Sequence, residues 1–141
     1  MTNRELAEFP SRLTVLAETA AFVQAFCERN GVVRTDALRL TFIIEELFTN
    51  TIRHGFGGDS DSRVRIELAS GDGEVSLLYE DSAPPYDPIA RFAPPARLDA
   101  PVEARPIGGL GVYLLGQLIS GARYAYEDGC NRLWLIVPQE G

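Results

Sequence analysis

Cysteine is scarce in this chain: Cys27 and Cys130 are the only two, and they have no metal-ligand spacing. A disulfide framework and a thiolate metal centre are therefore not expected, and a reducing, cytoplasmic compartment is the default. Positive charge is short as well. Lysine and arginine number 13 against 20 acids, for a formal charge of −7, and no basic run occurs of the kind that neutralises phosphate backbones. Direct nucleic-acid binding is excluded on that ground. No apolar stretch is long enough to span a bilayer, and the N-terminus has no charged segment followed by an apolar run, so neither membrane nor secretion is expected. What remains is 141 residues with 45% hydrophobic side chains, enough to fill one core in a single domain over 1–141.

The stretch around which that core is expected to form is Leu40 to Gly55, LTFIIEELFTNTIRHG. Wound as a helix, it places Leu40, Ile43, Ile44, Leu47, Phe48 and Thr51 in one apolar stripe. Glu46, Asn50 and His54 follow at i, i+4, i+8 and climb one border of that stripe, where core would meet cavity. Glu45 falls on the other flank. An amide oxygen is a hard neutral ligand for Mg²⁺, and a carboxylate one turn away can take a proton.

Upstream, Arg4 to Phe9 reads as an edge strand closed by Pro10, with Ser11 as a helix cap. Leu16, Ala17, Ala20, Val23 and Cys27 keep helical spacing up to a stop at Asn30-Gly31, leaving Arg12 and Glu18 off the apolar face. Thr35 or Asp36 is the expected cap of the central helix, and Gly55 its end. Beyond it, Val64, Ile66 and Leu68 alternate with polar residues, then Val75, Leu77 and Tyr79 do the same after a Ser70–Gly73 turn. This is a hairpin that ends in Glu80-Asp81. An acid at the end of a buried strand is costly unless it is used or hydrated.

Seven of the nine prolines fall between Pro84 and Pro106. Such a segment cannot make a helix, and over 84–107 it reads as an extended lid. Gly108, Gly109 and Gly111 then open a helix carrying Leu114, Leu115, Leu118 and Ile119. That entry would let phosphate approach main-chain N–H groups at a positive helix end, with Arg105 adding a contact. Tyr124–Glu127 and Arg132–Val137 form a second hairpin about Asp128-Gly129. The sum is an α+β fold, a two-layer sandwich of a mixed, mostly antiparallel sheet covered on one face by three helices.

The ordered set Glu46-Leu47-Phe48-Thr49-Asn50 with His54-Gly55, Asp81…Tyr86-Asp87-Pro88, Gly108-Gly109-Leu110-Gly111 and Gly129-Cys130-Asn131-Arg132-Leu133 resembles the anti-sigma-factor serine/threonine kinases of the GHKL, or Bergerat, fold. The resemblance runs from about residue 4 to 138. It implies ATP and Mg²⁺ as cofactors, Glu46 as general base, Asn50 as metal ligand, Asp81 as acceptor of the adenine amino group, and Gly108, Gly109 and Gly111 as a mobile, phosphate-facing entry. It implies a STAS-domain antagonist protein as substrate and a sigma factor or equivalent regulator as second partner, and it allows a homodimer. Ala83 stands where such kinases usually carry glycine in the adenine pocket, and Trp134 where relatives often show a small polar residue near the nucleotide. A non-catalytic module that binds its partner with nucleotide as a conformational ligand, or without it, is the competing reading. Sensor histidine kinases need a phosphoacceptor helix, and gyrase- or chaperone-type ATPases need further domains.

Overall fold

The computed structural model describes residues 3–92 and 109–140. Five strands, β1 (Asn3–Pro10), β2 (Arg63–Gly71), β3 (Glu74–Asp81), β4 (Gly121–Glu127) and β5 (Cys130–Pro138), form one sheet in the order β1-β2-β3-β5-β4. Every pairing among them is antiparallel. Both hairpins turn on an Asp-Gly pair, Asp72-Gly73 and Asp128-Gly129, with φ of +54° and +76° in each. Positive φ at both central positions is the turn that matches strand twist, and it explains why the hairpins close on those residues.

Three helices, α1 (Leu16–Arg29), α2 (Arg34–Asn50) and α3 (Gly109–Gly116), pack on one face. Their apolar side chains meet Val64, Ile66, Leu68, Leu77, Leu133 and Leu135 in one core. The α2 stripe lies where its period places it, with Leu40, Ile43, Ile44 and Phe48 fully buried. The other face of the sheet carries no described helix. There Trp134 stands half-buried on β5, with the Arg123 guanidinium 4.0 Å above its ring. Trp134 is thus one strand position out of phase with the inward-facing Leu133 and Leu135 and lies on the face of the sheet away from the helices.

Several local expectations are corrected. Ser11 is no helix cap: it is buried, and its hydroxyl donates to Ser62 O at 2.7 Å, tying β1 to the start of β2. Neither Thr35 nor Asp36 caps α2, whose N-cap is Val33; the buried Asp36 instead accepts from Glu140 N at 3.1 Å. The buried face of α1 is Thr19, Val23, Phe26 and Cys27, with Ala17 exposed, because the helix rolls its aromatic rather than its alanines inward. Arg12 is occupied by Asp61 at 2.6 Å. α3 stops at Gly116, so Leu118 and Ile119 follow the helix rather than belong to it, and β4 begins at Gly121, earlier than its aromatic alternation suggests. Both cysteines are free, and burial pushes the Cys27 thiol up to about 11.

Candidate functional site

α2 does not end cleanly at Asn50. Thr51–Gly55 widen into a π-helical turn closed by the Phe56 N–H on Thr51 O at 2.9 Å, which adds a residue to the turn and ends the helix at Gly55. Asn50 and His54 both line a cavity of about 440 Å³ walled by the end of β3, by Ala83–Tyr86, by Val112 of α3, and by Tyr124, Asn131 and Leu133. Glu46, one turn before Asn50, stands beside this cavity against α3. A Cβ built on Gly111 would lie 2.6 Å from Glu46 Cδ, so the glycine is the space in which the carboxylate sits. Burial, with Glu45 adding to it and Arg53 opposing it, raises the Glu46 carboxyl above its ordinary value. Gly109 is the first residue of α3. Arg105, Gly108 and the lid from residue 93 onward lie outside the described residues.

A substitution at Gly111 separates site from fold. Gly111→Ala drives a methyl into a carboxylate at the end of a flexible side chain, which can swing away at a cost under about 1 kcal/mol in folding stability. The displaced carboxylate is expected to lower any chemistry it performs by about a hundredfold. Thermal melting and activity measured on one preparation check both halves.

Asp81 is the polar centre of the cavity. It is 9% exposed, at the last position of β3. Its Oδ1 accepts from Ala83 N–H at 3.1 Å and from Asn131 Nδ2 at 2.9 Å, and its Oδ2 accepts from the Thr51 hydroxyl at 2.8 Å. Thr51 Oγ1 in turn receives the Tyr79 hydroxyl at 2.7 Å. Burial, opposed by that bond to Thr51, keeps the Tyr79 phenol well above its ordinary value, so it stays a donor. A carboxylate offers about four lone-pair positions, and three are filled here by the protein. One acceptor position on Oδ2 remains for a ligand.

Ala83 carries no strain. Its φ is not positive, and its methyl seats against Gly55, where an added Cβ would lie 2.8 Å away. The glycine expected at 83 is thus not needed, because the small residue of the pair is Gly55, at the end of the π-helical turn. Pro84 to Pro88 form no regular element, and Ile89–Phe92 then make one 3-10 turn, a correction to the expectation of no helix in the lid. That turn packs its Phe92 on Gly116 of α3. Arg91 lies over the Tyr86 ring at 5.8 Å, and both line the cavity.

These residues fit the nucleotide that the sequence points to. A buried acceptor and a carboxamide line one mostly apolar cavity with room for a base and ribose, and a glycine of α3 lies against a carboxylate beside it. Sequence reasoning missed Thr51, Tyr79, Tyr124, Asn131 and Arg91. Asn131 alone had a usable signal, since it lies in the terminal Gly129-Cys130-Asn131-Arg132 run.

An antiparallel five-stranded sheet with three helices on one face and a cavity at the strand ends is an α+β two-layer sandwich. The chain belongs to the histidine kinase-like ATPase domain family, whose model matches residues 9–137. It is similar to the serine-protein kinase RsbW of Listeria monocytogenes, at 25% identity over 65% of this chain and 60% of that protein's length. The serine-protein kinase RsbW of Bacillus cereus is 22% identical over 89% of this chain and 79% of its own. Two solved structures share the fold. The RsbU and RsbW domains of Rv1364c from Mycobacterium tuberculosis match with a TM-score of 0.67 at 16% identity, over 97% of this chain and 32% of that one. The SiaB-SiaC complex from Pseudomonas aeruginosa matches with a TM-score of 0.56 at 15% identity, over 94% and 88%. Among the described residues, no helix is long and apolar enough to cross a membrane.

Proposed function

We propose that this chain is an ATP-dependent protein serine/threonine kinase of a partner-switching system, acting as one domain. Its substrate is a STAS-domain antagonist protein and its second partner a sigma factor or equivalent regulator. The observation that carries the reading is the convergence of Asn50 and Asp81 on one cavity, with Glu46 set against Gly111 of α3 beside it. The RsbW relatives, named serine-protein kinases, support the reaction class. When bound, Mg-ATP supplies the γ-phosphoryl group that is transferred. Asp81 accepts a hydrogen bond from the adenine amino group at its remaining Oδ2 position. Asn50 holds the metal through its amide oxygen. Gly108, Gly109 and Gly111 would supply main-chain N–H groups for phosphate, Arg105 a further contact, and the 84–107 segment the lid. Glu46 takes the proton of the partner's serine or threonine hydroxyl, a task suited to a carboxyl that burial has made more basic. A homodimer is allowed by the same reading.

The test is transfer of label from ATP, with Mg²⁺, to the STAS protein encoded beside this chain. Wild type should label it and Glu46→Ala should not. No label, or equal label from both, overturns the kinase reading. The competing binding module rests on Ala83 and on the stiff proline lid; the φ of Ala83, which is not positive, takes away the first of these motives.

The pH profile follows from Glu46. Protonated Glu46 cannot accept a proton, so transfer should rise with pH through the Glu46 pKa, and the acidic limb should lie above the range of an ordinary glutamate. By linkage, a raised carboxyl pKa means the fold penalises the charged form, so its contribution to stability falls as pH rises through that window. Glu46→Gln should therefore be inactive yet slightly more stable at neutral pH. A limb at or below the ordinary range contradicts the assignment.

A further inference from the structure

Asn131 is the second residue of β5, and its carboxamide is used to capacity. One Nδ2 hydrogen goes to Asp81 Oδ1 at 2.9 Å, and the other is shared by Ala83 O at 3.0 Å and Pro84 O at 3.1 Å. Its Oδ1 accepts the Tyr124 hydroxyl at 2.5 Å and the Tyr86 N–H at 2.9 Å. The amide orientation is fixed by main-chain groups that cannot reverse roles: carbonyls on one side, an N–H on the other. Burial, opposed by the hydrogen bond from Tyr86 N–H, raises the Tyr124 phenol, which therefore remains a donor to Asn131. One side chain thus joins the acid of the cavity to the first residues of the segment that walls it.

We propose that Asn131 is a positioning residue that sets base specificity: by filling the second acceptor position of Asp81 Oδ1, it leaves Asp81 a single acceptor position for the nucleobase. This rests on the nucleotide reading above and deepens it. A base that offers one exocyclic amino group beside a ring acceptor, as adenine does, matches one position. Guanine offers a ring N–H and an amino group side by side, which a carboxylate with both oxygens free receives as a pair. With Oδ1 already carrying the Ala83 N–H and the Asn131 amide, one guanine donor is left unpaired in a buried site, which costs affinity. The hold on Ala83 O, Pro84 O and Tyr86 N also stops Asp81 and its loop from swinging to meet the second donor.

The experiment is calorimetric titration of Mg-ADP and Mg-GDP into wild type, Asn131→Ala, Asn131→Leu and Tyr124→Phe, with melting curves on each. Wild type should prefer ADP. In both Asn131 variants Asp81 Oδ1 regains a free acceptor position, so GDP should gain on ADP and the preference should shrink by about tenfold or more. Tyr124→Phe keeps the Asn131 bond to Asp81 and should hold most of the preference. An equal loss for both nucleotides, an unchanged preference, or loss of cooperative melting in both Asn131 variants overturns the proposal and leaves the residue merely structural. Failure of wild type to bind either nucleotide overturns the nucleotide reading, and this inference falls with it. Wild-type binding with an unmoved preference in the variants overturns this inference alone.

Discussion

Replacing Asn50 by alanine should reduce phosphate transfer to the partner protein by about a thousandfold, at least as severely as Glu46→Ala. Phosphoryl transfer asks little covalent chemistry of the protein; positioning and charge neutralisation dominate the barrier. Asn50 holds the metal in this account, so its loss removes both at once, whereas Glu46 contributes one proton transfer, typically worth about 10²–10⁴. The fold should survive, because Asn50 is half-exposed at the last position of α2 and the buried stripe of that helix is untouched. Single-turnover transfer for the two variants, each checked by thermal melting, decides the ranking. An Asn50→Ala enzyme that retains most of its activity removes the metal-ligand role.

Asp81→Asn should keep the protein folded and abolish nucleotide binding. The amide oxygen can still accept from Ala83 N–H and Asn131 Nδ2. The new amide nitrogen can donate to Thr51 Oγ1, whose proton has an alternative acceptor in Leu47 O at 3.0 Å. Every buried group therefore keeps a partner, and stability should change by less than about 1 kcal/mol. The second amide hydrogen, however, points where Oδ2 offered its free lone pair. It would meet the adenine amino group donor to donor, and Mg-ADP affinity should fall by about a hundredfold or more. Titration and melting on the same variant read both outcomes; intact binding would place the base elsewhere.

The skeleton of this site was legible because its signals are periodic. The 3.6-residue stripe of α2 fixed which side of the helix would meet the cavity, and the period of two in β2 and β3 carried Asp81 to the strand end. Gly109 and Gly111 were legible as a helix entry, but that Gly111 is the space for Glu46 was not, since the contact joins residues far apart in the chain. The Asp81 network was hidden for the same reason. Thr51 reads as one more member of the apolar stripe, and Asn131 finds its partners across 45 and 50 residues of sequence. Ala83 was visible as a departure, yet only its φ and its seat on Gly55 decide that the departure is harmless. The π-helical turn after Asn50 has no sequence signal of its own; it is set by tertiary packing around Thr51 and Gly55.

The whole account requires that this cavity bind a magnesium-complexed adenine nucleotide, and thermal melting with excess Mg-ADP tests that directly. At a hundred times its dissociation constant, a ligand that binds only the folded chain adds about 2.7 kcal/mol, which for a domain of this size raises the midpoint by about 10 °C. Wild type should show that shift and Asp81→Asn should not. A wild-type curve that Mg-ADP leaves unmoved contradicts the account.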